Sequence, residues 1–180
     1  MAKNFEITAK EDGKKYWISR SVAVCAIVIV YDKDDNCYLL INRRGQGTPD
    51  FQGCWNIPCG YLDWDETTSQ ACTREVLEEC KVWVDPDNWQ QFGEIEDSIT
   101  ANRQNVTVRK IACIDINEYH AGKKLAMKMT AANNGEENEV DDIILMPLKS
   151  ILINNRDWAF NHKDLATNVM MSIDDILNTR

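Results

Sequence analysis

Ten consecutive apolar residues, Val22 to Tyr31 (VAVCAIVIVY), constrain the fold of this chain more than any other segment. β-branched side chains dominate the run and favour extended backbone, and such continuity suits a strand covered on both faces. A bilayer-spanning helix needs roughly 20 such residues, so the run predicts a central strand and no membrane segment. Asp32-Lys33-Asp34-Asp35-Asn36 supplies a polar turn, and Cys37 to Asn42 resumes the apolar pattern as a second strand.

The other elements are read around that strand. Phe5 to Thr8 and Tyr16 to Ser19, joined through Glu11-Asp12-Gly13, predict an N-terminal hairpin within residues 1 to 20. Gly45 to Asp65 carries four of the chain's eight glycines and reads as a structured loop with a short strand at Trp55 to Ile57. Thr67 to Lys81 lacks Gly and Pro and predicts a helix, with Thr67 or Thr68 as N-cap. Further strands are expected at Trp89 to Ile95, Val106 to Ile116 and Asp142 to Met146, a loop at Thr130 to Asp141, and a last helix at Asn161 to Asn178. The order predicts one α+β domain over residues 1 to 180, with a mixed β-sheet sandwiched between helices.

Composition narrows the partners. Asp and Glu number 29 against 20 Lys and Arg, a net charge of −9, which disfavours nucleic acid and means that an anionic substrate needs a bound cation. The seven cysteines include no CxxC pair and read as reduced thiols. With charged Lys3, Glu6 and Lys10 where a secretory signal is apolar, a cytoplasmic location is expected.

The chemistry concentrates on the predicted central helix. At about 100° per residue, Glu75, Glu78 and Glu79 share about 100° of arc, while Cys72, Val76, Leu77 and Cys80 form an apolar stripe. The acids are therefore expected to face outward. Like charges one turn apart repel, and a hard divalent cation offsets that repulsion while bridging to phosphate oxygens. A solvated acidic face is the plainer reading for an isolated EVLEE string.

The spacing around the helix decides between them. Gly60, five residues, Glu66, seven residues and Arg74-Glu75-Val76-Leu77-Glu78-Glu79-Cys80-Lys81-Val82 resemble the Nudix box, G-x5-E-x7-R-E-U-x-E-E-x-G-U with U aliphatic. Trp55-Asn56-Ile57-Pro58-Cys59-Gly60 is similar to the lead-in usual before that box, and Trp158-Ala159-Phe160-Asn161-His162 to a common C-terminal segment. Two positions depart. Lys81 stands where the box has glycine, and Cys59 where the family usually has a second glycine whose carbonyl contacts metal.

The resemblance implies the Nudix fold and a divalent-metal-dependent hydrolase. Its substrate would be a nucleoside diphosphate linked to another moiety, of the ADP-ribose, dinucleotide, sugar nucleotide or NTP type. Mg²⁺ or Mn²⁺ would be held by Glu75, Glu78, Glu79 and the Cys59 carbonyl. Glu75 or Glu139 is the expected base, with Glu136 and Glu137 as alternatives. Arg74 and Glu66 are expected to pair beside the catalytic acids, and Arg43 and Arg20 to bind substrate. Trp64 and Trp17 are candidates for stacking on a base, and His162 is expected to cap or pack rather than catalyse. The rival readings are a Nudix-fold nucleotide sensor without turnover and an acidic protein-interaction domain. A homodimer through the N-terminal hairpin is a further expectation.

Overall fold

The computed structural model describes residues 4–99, 104–130 and 139–178. The apolar run becomes β3 (Ser21–Tyr31), after a separate hairpin of β1 (Phe5–Thr8) and β2 (Lys15–Ile18). Along all eleven of its residues β3 pairs in parallel with β8 (Asn105–Asp115), from Ser21↔Asn105 to Tyr31↔Asp115. Its other edge is divided. β4 (Cys37–Arg44) pairs with it only at Ile29 to Tyr31, then diverges. β5 (Trp55–Asn56) and β6 (Cys59–Tyr61) fill the gap, β5 on β4 and β6 on β3, and Ala26 N–H donates to Pro58 O at 2.8 Å between them. No buried strand edge can be left open without losing hydrogen bonds, so the splay fixes where this segment must lie. β7 (Gln90–Gln91) adds to β8, and β9 (Val140–Pro147) to the outer edge of β4.

Alternation along β3 makes two cores. Val24, Ala26, Val28 and Val30 pack with Ala71, Cys72, Val76 and Cys80 of α1 (Thr68–Cys80). Cys25, Ile27 and Ile29 face the other way, toward Leu165, Ala166 and Val169 of α3 (His162–Met171). The mixed sheet thus lies between helices, the α+β sandwich expected. Among the described residues no helix is long and apolar enough to cross a membrane.

Three elements differ from the sequence reading. Ile116–Thr130 is a helix, α2, that the chain's apolar pattern did not announce, because few of its residues, chiefly Tyr119, Gly122 and Ala126, are buried. A signal was nevertheless present: Asp115 Oδ1 accepts from Asn117 N and Glu118 N at 2.6 and 3.0 Å, and Glu118 Oε2 accepts from Asp115 N at 2.9 Å, a capping arrangement spelled D-x-x-E. The last helix is two, α3 (His162–Met171) and α4 (Ile173–Leu177), divided at Ser172. The strand expected over Trp89 to Ile95 shrinks to β7 and a bridge between Glu96 and Thr107, with Gly93 at φ 64° interrupting it.

Gly122 lets α2 approach the chain after α1. A Cβ there would lie 2.3 Å from the Trp83 carbonyl oxygen, a backbone atom that cannot yield cheaply, and Trp83 N–H donates to Gly122 O at 3.2 Å. Gly122→Ala is expected to lower the unfolding free energy by about 1–3 kcal/mol, the usual range for overpacking, despite alanine's better helix propensity. Urea denaturation followed by circular dichroism measures it.

Candidate active site

The helix that carries the acids is fixed at both ends. Thr67 Oγ1 accepts from Gln70 N at 3.2 Å while Gln70 Oε1 accepts from Thr67 N at 2.8 Å, a complete capping box. At the other end Lys81 takes the left-handed conformation, φ 55° and ψ 42°, that a glycine adopts more easily. Its Nζ donates to Glu78 O at 2.7 Å, satisfying a carbonyl that the helix end leaves free.

Arg74 organises the charges. Its Nη2 and Nε donate to Glu66 at 2.7 and 3.1 Å and its Nη2 to Tyr61 O at 2.9 Å, which ties the loop after β6 to the helix. Its Nη1 reaches Glu75 Oε1 at 2.7 Å and Glu78 Oε2 at 3.1 Å. The hydrogen bonds from Arg74 hold the Glu66 carboxyl below its ordinary range.

The acids do not all face outward. Glu78 is exposed, but Glu75 is only 7% exposed and Glu79 is partly buried. Room for Glu75 comes from Gly60, where a Cβ would lie 2.2 Å from Glu75 Oε1. Any side chain at position 60 would displace that carboxylate. Glu79 accepts from Asn42 Nδ2 at 2.6 Å and from Cys59 N at 3.4 Å, so the splayed strands hold it. Burial pushes the Glu75 carboxyl up to about 7, against the lowering effect of Arg74. Burial, and then the charge of Glu75, push Glu79 up to about 8.

These residues open on a cavity of about 800 Å³ whose lining includes Asn42, Arg44, Asn56, Cys59, Arg74 and Glu139 with the three glutamates. The donor set suits a hard cation. Glu75 and Glu79 are desolvated and repel one another, and among the described residues Asn42 Oδ1 and Asn56 Oδ1, both buried, have no hydrogen-bond partner. Among the described residues no three His, Cys, Asp or Glu side chains already form a metal cage, and Arg74 bridges Glu75 and Glu78.

The remaining candidates separate. Glu139 borders the cavity, and its carbonyl accepts from Gly45 N at 2.7 Å. Glu136 and Glu137 lie outside the described residues. Arg43 is not in the lining: alternation turns it to the opposite face of β4, with Asp141 Oδ2 at 3.9 Å, and Arg44 takes the cavity side. Arg20 lies elsewhere, donating to the Asp97 and Asn105 carbonyls. Burial and the charge of Glu79 push the Cys59 thiol upward, which disfavours a nucleophilic thiolate. His162 accepts from Ile57 N at 3.1 Å, and burial pushes it down to about 3, so it is a neutral anchor for the Trp55 to Gly60 segment. Asn42 and Arg44 had no motif to mark them, and Asn56 stands at an unspecified position of the lead-in before the box; strand alternation from Leu40 would have placed Asn42 and Arg44 with the helix-facing side.

With this geometry in view, the family model described as NUDIX domain matches residues 21–168. The chain belongs to the Nudix family. Its Nudix domain is 37% identical over 76 residues to the ADP-ribose pyrophosphatase of Methanocaldococcus jannaschii, a match that covers 41% of this chain and 41% of that protein. The NUDIX domain of Shewanella oneidensis NrtR, solved with ADP ribose, superposes with a TM-score of 0.62 at 22% identity, covering 87% of this chain and 90% of that one. A bifunctional NMN adenylyltransferase/ADP ribose pyrophosphatase of Francisella tularensis, solved with AMP and Mn ion, gives 0.55 at 19% identity over 86% of this chain and 42% of that one.

The raised carboxyls of the Nudix domain carry a pH dependence whose sign follows from linkage. Between about pH 4.5 and 8 the folded state holds protons on Glu75 and Glu79 that the unfolded chain has released, so stability falls as pH rises. His162, with a lowered folded value, gives the opposite slope, but only below its unfolded value of 6.5. In chelator-treated protein the melting temperature is therefore expected to fall by several degrees from pH 6.5 to 9, and Glu79→Gln to flatten that fall. Differential scanning fluorimetry across the range checks both.

Proposed function

We propose that this Nudix domain is a divalent-metal-dependent hydrolase of a phosphoanhydride bond in a nucleoside diphosphate linked to another moiety. The observation that carries the reading is the convergence of Glu75, Glu78 and Glu79 with Arg74 on one cavity beside Gly60. ADP-ribose is the first substrate to test, because it is what the curated relative's name states for that protein.

Glu75, Glu78, Glu79 and the Cys59 carbonyl would hold Mg²⁺ or Mn²⁺, which would screen the negative charge of the diphosphate oxygens. Arg44 would bind a phosphate: Asp50 engages its Nε and Nη2 at 3.0 and 2.8 Å and leaves Nη1 without a partner among the described residues. Glu75, at the centre of the carboxylate cluster on the cavity wall, is the first candidate to orient or deprotonate water. Glu139 is the second candidate, across the same cavity. Arg74 and Glu66 would keep the loop and helix in register rather than touch the reacting atoms. All seven cysteines are free thiols, which fits a reducing, cytoplasmic setting.

Two observations keep a sensor reading in play. Arg74 bridges two of the acids, and the NrtR domain is a Nudix fold solved with ADP ribose. The deciding experiment is a panel of ADP-ribose, NADH, a sugar nucleotide and an NTP with Mg²⁺ or Mn²⁺, reading phosphate or nucleotide release. Turnover of one member supports the hydrolase; none turned over, with a dose-dependent rise in melting temperature, supports the sensor. Glu79→Gln is expected to lower kcat by about 10²-fold or more while the fold persists. Wild-type turnover in that variant removes the metal assignment.

For substrate contacts, Arg44→Met is expected to raise KM more than Arg43→Met does, read by steady-state kinetics. The hairpin's exposed Phe5, Ile7, Trp17 and Ile18 are consistent with a homodimer, which sedimentation equilibrium would show.

A further inference from the structure

Phe51 and Phe160 stand in a conformation that bulky side chains rarely adopt. Both have positive backbone φ, 50° and 52°, and both remain 45% exposed. Their rings meet, with centroids 4.8 Å apart and planes tilted by 58°. Burial alone does not account for two aromatic residues held at strained positions with nearly half of each in solvent.

The backbone around each is firmly fixed. Cys54 N–H donates to Phe51 O at 3.0 Å, and Gly53 N–H to Arg44 O at 2.8 Å. On the other side Ala159 N–H donates to Trp55 O at 2.9 Å and His162 N–H to Ala159 O at 3.2 Å. The Phe160 ring also packs at 5.3 Å from the buried His162 ring. Two segments distant in sequence are thus locked so that their rings form one surface.

Arg44 connects that surface to the cavity. Its guanidinium lies 5.2 Å from the centre of the Phe160 ring, and it lines the cavity together with Thr48 and Pro49, which precede Phe51 on the same loop. We infer that Phe51 and Phe160 form a stacking platform for the base of the nucleotide whose phosphates Arg44 holds. This rests on the reading of the cavity as a nucleoside diphosphate site. A phenyl ring offers a flat apolar face and no hydrogen-bonding group, so the platform selects a ligand that carries a heteroaromatic base over one that does not, without distinguishing among bases. Arg44, stacked on Phe160 and held by Asp50, sets the distance between phosphate and platform.

A second aromatic surface competes for the role. Trp64, 89% exposed, follows the cavity-lining Asp63 and contacts Tyr16 edge-on at 6.0 Å. It has no positive φ and no contacting cation among those described, which favours the phenylalanine pair.

Calorimetric titration of ADP and of inorganic pyrophosphate, each with Mn²⁺ present, separates the possibilities. Phe51→Ala and Phe160→Ala are each expected to weaken ADP by about tenfold and pyrophosphate by less than about twofold. Phe160→Leu, which keeps an apolar side chain and protects the fold, should show the same selective loss with an unchanged melting temperature. Equal losses for both ligands would reduce the pair to a structural support and overturn the inference. So would a selective loss in Trp64→Ala instead, or a change of oligomeric mass in the phenylalanine variants without selective loss. If the wild-type protein binds neither ligand, the nucleotide-site reading falls as well; if it binds both and the phenylalanine variants keep the wild-type preference between ADP and pyrophosphate, only the platform falls.

Discussion

Desolvated carboxylates on one helical turn are the constraint around which this structure is arranged. Glu75 is buried against Gly60 and Glu79 under the splayed strands, and their repulsion raises the cost of ionising either. Arg74 offsets part of that cost with charge-assisted hydrogen bonds to Glu75, Glu78 and Glu66. The arrangement is poised for added positive charge. Its capping box, left-handed Lys81 and Asn42 contact serve to keep the acids in place while they repel.

The divergence of β4 from β3 makes this possible. Had the two strands remained paired past Leu39, no gap would exist for Trp55 to Tyr61, and Gly60 could not lie beside Glu75. Strand alternation puts Asn42 and Arg44, with Leu40, on the helix side of the diverging β4. His162, from α3 on the opposite face, donates nothing to Ile57; it accepts the Ile57 N–H and so holds the inserted segment from behind. Site and scaffold are therefore joined through backbone pairing as much as through side chains.

Particular residues show how far the sequence could be read. The strand over Val22 to Tyr31, the helix over the acids and the apolar stripe of Cys72, Val76 and Cys80 were legible because each has an uninterrupted period that burial enforces. Helix α2 was not, because its side chains are mostly exposed and its start depends on Asp115 and Glu118 rather than on hydrophobic repetition. The placement of Arg43 shows a different limit. A strand turns neighbouring residues to opposite faces, and which face held the cavity depended on the packing of β4 against α1, so Arg44 rather than Arg43 reaches it.

By itself, the sequence determined the family, the central strand and the helix that gathers the glutamates, since these rest on local period and on fixed spacing between chemically distinct residues. Tertiary structure alone decided that Glu75 is buried while Glu78 is exposed, that Asn42 holds Glu79, and that Phe51 meets Phe160. Each of those facts joins segments separated by many residues. Their meeting is set by how strands diverge and helices pack, and no local spacing encodes it.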